Sequence, residues 1–83
     1  MATLYILQSK TTHRFYIGST NDFARRMDEH RRGHSLATRA RGPWELVYQE
    51  RFESLAEARR RELEIKRWKS SRMIAALIAA KIG

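Results

Sequence analysis

Five side chains of this 83-residue chain have the types and spacing to handle a phosphate and a proton. Tyr5 and Tyr16 each sit in a short apolar run, Leu4-Tyr5-Ile6 and Phe15-Tyr16-Ile17-Gly18. The polar stretch Ser9-Lys10-Thr11-Thr12 between them reads as a hairpin loop. With Gln8 paired to His13, the register puts Tyr5 directly opposite Tyr16 on one sheet face, Cβ atoms about 5 Å apart. Arg26 and His30 are four residues apart and project from one side of a helix. An arginine can hold a phosphate oxygen through its bidentate fork, and a neutral imidazole can orient or deprotonate water near pH 7. The plainer alternative is a half-buried histidine beside a solvated arginine. Glu62 falls in the stripe Leu55, Ala58, Glu62, Ile65, where the pattern reserves the place for an apolar side chain. Unpaired burial there is costly, so the carboxylate needs a bound metal or an arginine such as Arg26.

The elements that must position these groups follow from periodicity and caps. Residues 3–9 and 14–19 alternate as strands, with Leu4 and Ile6 facing one way and Tyr5 and Leu7 the other. Thr20 or Asn21 can cap a helix from Asp22 to about Arg32, with Phe23 and Met27 as its apolar stripe and Gly33 as its stop. Residues 33–43 read as a basic loop broken by Gly42-Pro43. Trp44 to Phe52 makes a third strand, in which Trp44, Leu46 and Tyr48 share a side and Val47 takes the other. Ser54 and Glu57 form a capping box for a helix running to about Lys69. Ser70 or Ser71 begins a last helix with Met73, Ile74, Leu77 and Ile78 as its stripe. The fold expected is α+β: a three-stranded, mostly antiparallel sheet flanked by three helices, in the order β-β-α-β-α-α.

Composition narrows the classes. Residues 1–83 read as one domain with a small core, burying about 60–65% of its unfolded surface. There are no cysteines, which excludes disulfides and a Cys-type zinc site. No apolar run approaches the roughly 18 residues needed to span a membrane, and no charged segment with an apolar h-region opens the chain; a cytoplasmic protein is expected. Seventeen basic residues against nine acidic give a net charge of +8. A domain this basic usually meets a polyanion, most often a nucleic-acid backbone, although a solubilising surface or a ribosomal partner would give the same charge.

Tyr16-Ile17-Gly18, then Ser19-Thr20-Asn21-Asp22, Arg26, His30 and Glu62 in order resemble the GIY-YIG nuclease domain, in its small single-domain bacterial branch. The first triplet departs from the pattern, reading Leu4-Tyr5-Ile6. The resemblance covers nearly the whole chain and implies the same topology. It implies a metal-dependent DNA endonuclease, acting on structured, nicked or single-stranded DNA in repair or recombination. In that reading Glu62 holds Mg2+ or Mn2+, since one carboxylate with several waters suits these ions. Arg26 binds the scissile phosphate, and Tyr16 or Tyr5 is the base, with His30 as relay or replacement. A phenol near pKa 10 serves as a base at neutral pH only if metal and arginine depress it. The alternative is a non-catalytic nucleic-acid-binding module that keeps the fold but lacks turnover. A protein-interaction adaptor would leave both the charge and the inward Glu62 unexplained.

Other residues carry less chemistry. Ser19, Thr20 and Asn21 read as helix-capping groups whose amides can also meet a phosphate. His13 and His34 lie in loops without a second ligand at metal spacing. Trp44 and Trp68 read as core rather than base-stacking residues. Lys66, one turn after Glu62, is either its solvated pair or a phosphate contact. Arg31, Arg32, Arg39 and Arg41 form the best patch for non-specific backbone binding. A dimer would suit double-strand cleavage, although no segment announces an interface. The geometric expectation is that Tyr5, Tyr16, Arg26, His30 and Glu62 converge on one basic cleft.

Overall fold

The computed structural model describes residues 1–32 and 43–82, with the side chains of Lys81 and Ile82 excepted. The elements are β1 (Ala2–Ser9), β2 (Phe15–Thr20), α1 (Phe23–Arg31), β3 (Trp44–Phe52), α2 (Leu55–Trp68) and α3 (Ser71–Ile82). The strands form one antiparallel sheet in the order β2-β1-β3. This is the α+β architecture and element order that the sequence pattern implies. β1 is central because it is apolar on both faces, and nearly all of it is buried.

The two sheet faces have different jobs. Leu4, Ile6, Ile17 and Tyr48 meet Ile65 of α2 and Ile74 of α3, with Phe15, Val47, Phe52, Trp68, Leu77 and Ile78 packed around them. Of the apolar stripe expected on α3, Met73 is the exception, being 47% exposed. The opposite face carries Tyr5 and Tyr16, covered by Phe23 and His30 of α1. One helix thus covers the tyrosines, and two cover the core.

The hairpin register differs from the sequence reading by two residues. Tyr5 stands opposite Gly18, and Tyr16 opposite Leu7. Ser9 closes the loop: its amide donates to the Arg14 carbonyl at 2.9 Å, and its hydroxyl accepts from the amides of Thr11 and Thr12. His13, at φ 62°, takes the left-handed position and so belongs to the turn rather than to the strand. A shift of two preserves parity, so both tyrosines keep the same face.

β3 departs further. The pairing jumps from Ile6–Tyr48 to Leu7–Leu46, which leaves Val47 as a bulge. Trp44 and Leu46 therefore share a face with Tyr5, while Tyr48 turns to the core. The extra residue breaks the alternation on which the grouping of Trp44, Leu46 and Tyr48 rested.

Caps follow local chemistry. Asp22, not Thr20 or Asn21, is the N-cap of α1, its Oδ1 accepting from the Arg25 amide at 3.3 Å. Thr20 instead accepts from the Asp22 amide and fixes the entry to the helix. Ser54 caps α2 through the Glu57 amide, and Lys69 ends it in the left-handed conformation. Ser70 caps α3 through the Met73 amide. Gly33, the expected stop of α1, and Gly42 lie outside the described residues.

Candidate active site

Tyr5 is fully buried, and its ring lies across Gly18 on the neighbouring strand. A Cβ at Gly18 would stand 2.5 Å from Tyr5 Oη and 2.6 Å from its Cζ, so only glycine fits. The absent side chain lets the phenol reach α1. There Arg26 Nε donates to Tyr5 Oη at 3.4 Å, and His30 Nε2 lies 3.2 Å from the same oxygen. The helical spacing of Arg26 and His30 thus brings both to one hydroxyl. The Tyr16 ring is 6.4 Å from that of Tyr5 and 5.2 Å from that of His30, with Trp44 edge-on at 6.3 Å.

Electrostatics fix the protonation states. Burial pushes the Tyr5 phenol above its ordinary pKa, against the Arg26 hydrogen bond that lowers it. Burial, reinforced by the Arg26 charge, holds His30 below the usual histidine value. The Tyr5 and Glu29 hydrogen bonds push Arg26 up. At neutral pH the cluster holds a neutral phenol, a neutral imidazole and a fixed guanidinium. Arg26 donates to Oη, and the same oxygen shares a hydrogen bond with His30 Nε2 whose direction follows the imidazole tautomer.

Glu62 arrives from the other face of the sheet. Ser19, opposite Leu4, donates to Glu62 Oε1 at 2.5 Å, and Lys66 Nζ donates to Oε2 at 2.5 Å. Lys66 therefore supplies the cation that the inward carboxylate requires. Arg26 pairs instead with Glu29, at 3.2 Å. Glu62 still acts on Tyr5, disfavouring ionisation of the phenol. Tyr5, Tyr16, Arg26 and His30 form one cluster, Glu62 bonds to Ser19 and Lys66, and of the five only Arg26 lines the neighbouring cleft.

Whether these groups suit a divalent ion turns on the donor set. Among the described residues no group of three or more His, Cys, Asp or Glu side chains is assembled to hold a metal. Each Glu62 oxygen has one hydrogen bond and keeps a free lone pair. A single hard oxygen donor fits magnesium or manganese, which retain water and bind substrate phosphate.

Beside the cluster lies a cleft of about 310 Å³, lined by Ser19, Thr20, Arg25, Arg26, Glu29 and Arg59 among others. Arg25 and Arg59 were not singled out by sequence, because an exposed arginine on a helix looks like any other until the two helices are brought together. Arg31 and Arg32 are exposed and do not line this cleft; Arg32 pairs with Asp28 at 3.1 Å. Arg39, Arg41 and His34 lie outside the described residues. Among the described residues no helix is long and apolar enough to cross a membrane.

Comparison with known proteins identifies the family. The profile of the GIY-YIG catalytic domain matches residues 1–74. A UPF0213 protein of Cupriavidus necator is 42% identical over 69 residues, covering 82% of this chain and 74% of the relative. Another, from Natronomonas pharaonis, is 42% identical over 76 residues, covering 87% and 88%. The solution NMR structure of a UPF0213 protein from Bacillus halodurans superposes with a TM-score of 0.63 at 38% identity, covering 98% of this chain and 86% of that one. Matched along most of its length by the domain profile and by these small relatives, the chain belongs to the GIY-YIG family.

Proposed function

We propose that this protein is a metal-dependent endonuclease that hydrolyses phosphodiester bonds in DNA. The observation that carries the reading is the line from Arg26 Nε through Tyr5 Oη to His30 Nε2, set beside a cleft with two further arginines. Glu62 would hold Mg2+ or Mn2+, which when bound offsets charge on the phosphorus centre and makes water more acidic. Arg26, anchored by Tyr5 and Glu29, keeps guanidinium N–H groups for an oxygen of the scissile phosphate. Tyr5, buried and protonated, orients Arg26 and His30 rather than meeting the substrate. Tyr16 is only half-buried, so we assign it to the attacking water, with neutral His30 beside it as the proton's destination. The water oxygen bonds to phosphorus as the bond to the leaving oxygen breaks. One strand end keeps the phosphate and the other gains a hydroxyl. The arginines favour phosphate over base contacts, which suits nicked, branched or single-stranded DNA of repair and recombination recognised by shape.

The test is cleavage of plasmid, branched and single-stranded DNA with and without magnesium, with Glu62→Gln as control. Magnesium-dependent cutting that drops at least about 100-fold in the variant is expected. No cutting of any of these DNAs by the parental protein, in magnesium or manganese, overturns the enzyme. One observation favours a second reading, a binding module without turnover: Lys66 already neutralises Glu62. Salt-sensitive binding without cleavage would support that module.

A further inference from the structure

We propose that Arg25 of α1 and Arg59 of α2, which both line the cleft, clamp a backbone phosphate next to the one that Arg26 would hold. The inference rests on the DNA reading above but not on turnover. Arg59 precedes Glu62 by three residues, about 4.5 Å of helix rise, so both lie on one flank of α2. Successive phosphates on one strand advance about 3.4 Å along a duplex axis, so an arginine one turn from Glu62 is placed for the neighbouring phosphate. Arg59 is exposed and has no acidic partner among the described residues.

Arg25 has a weak tie. Its Nε is 3.8 Å from Glu29, and its side chain is 75% exposed. Arg26 holds the same carboxylate more closely, at 3.2 Å. The other acid of the cleft, Asp22, is engaged in capping α1. Three arginines thus face two carboxylates that are already occupied, and the position between Arg25 and Arg59 favours an added anion. Arg60, the next residue, lines separate clefts with Glu64 on the outer side of α2. It carries the same charge in a different place, which makes it the natural control.

The test measures binding of the full chain to a fluorescein-labelled duplex DNA oligonucleotide by anisotropy, in EDTA, over a salt series. Arg59→Ala and Arg25→Ala should each weaken binding several-fold and lower the slope of log K against log salt by about 1. Arg59→Lys should retain the slope, and Arg60→Ala should change it little despite removing the same charge. Unchanged melting temperatures would confirm that the exposed substitutions leave the fold intact. If Arg59→Ala and Arg60→Ala bind alike, or if the parental protein does not bind, the clamp is overturned. A parallel magnesium cleavage arm separates the two ideas. Cutting that needs Glu62 while the Arg59→Ala slope stays parental keeps the nuclease and removes the clamp. A reduced slope without any cutting keeps the clamp and removes the nuclease.

Discussion

Tyr5 and Tyr48 lie on opposite faces of one sheet, and the contrast between them separates a site from a scaffold. Both are buried, and burial pushes both phenols above their ordinary pKa. Each has an arginine nearby, but the order of groups differs. Around Tyr48 the hydroxyl donates to Glu50, and Arg61 closes on the same carboxylate oxygen at 3.1 Å while lying over Trp68. Around Tyr5 the arginine meets the phenol directly, and the group beyond is an imidazole rather than a carboxylate. In the first cluster Glu50 occupies the anion's place. In the second, Arg26 divides its donors between the phenol and Glu29, and Tyr5 itself meets no carboxylate.

The largest expected effect breaks this comparison by removing each arginine in turn. Arg26→Ala should lower cleavage by roughly 10²–10³-fold, the usual cost of deleting a donor to developing negative charge. Its side chain is 41% exposed, so the melting temperature should move little. Arg61→Ala should do the opposite. It leaves the part-buried Glu50 without its cation and should cost about 1–3 kcal/mol of stability, with parental activity per folded molecule. Chemical denaturation paired with a plasmid-nicking rate distinguishes the two. Equal loss of activity in both variants would mean that the faces are not divided in this way.

Gly18→Ala sharpens the comparison, since the approach of Tyr5 depends on that missing side chain. A new Cβ meets the Oη and Cζ of the buried Tyr5 side chain at 2.5 and 2.6 Å, so the phenol must shift away from Arg26 and His30. Overpacking of this kind costs about 1–3 kcal/mol, and cleavage should fall with it. Removing the Tyr5 hydroxyl in a Tyr5→Phe, Gly18→Ala double variant leaves Cζ in the way, so parental stability should not return. A double variant as stable as the parent would show that the ring has another place to go.

Much of this division was legible in the chain, and the misses share a cause. Arg26 and His30 needed only helical spacing, and Glu62 declared itself by interrupting an apolar stripe. Period-two alternation assigned Tyr5 and Tyr16 to one face even with the wrong hairpin partner, because a slip of two preserves parity. The Val47 bulge had no such protection. One extra residue reverses every side chain beyond it, and nothing in Trp-Glu-Leu-Val-Tyr marks where it falls. Helical spacing allows Lys66 to pair with Glu62 or to face solvent, and Ser19 resembles a cap because its carboxylate partner lies 43 residues away. Arg59 and Arg60 are indistinguishable in sequence. Which of them meets the cleft is decided by how α2 packs against the sheet.

The smallest effect is a pH dependence that separates the histidine from the two phenols. His30 has a folded pKa below its unfolded value near 6.5, so the unfolded chain binds the proton first as pH falls. The stabilising contribution is therefore present above about pH 6.5 and is lost as pH falls through the folded value, with a slope of at most about 1.4 kcal/mol per pH unit. The groups facing His30 include Arg26, Tyr5, Tyr16 and Glu29, and the Arg26 charge acts in the same direction as burial while Glu29 opposes it. The phenols behave in reverse. Raised folded values mean that Tyr5 and Tyr48 stabilise below about pH 10, and this is lost as pH rises through those values. Urea unfolding from pH 5 to about 11 should show the acid slope in the parent and a flatter one in His30→Gln. Tyr48→Phe should leave the acid slope intact and flatten only the alkaline limb. An acid slope that survives His30→Gln would assign the titration to another group and leave the neutral imidazole without support.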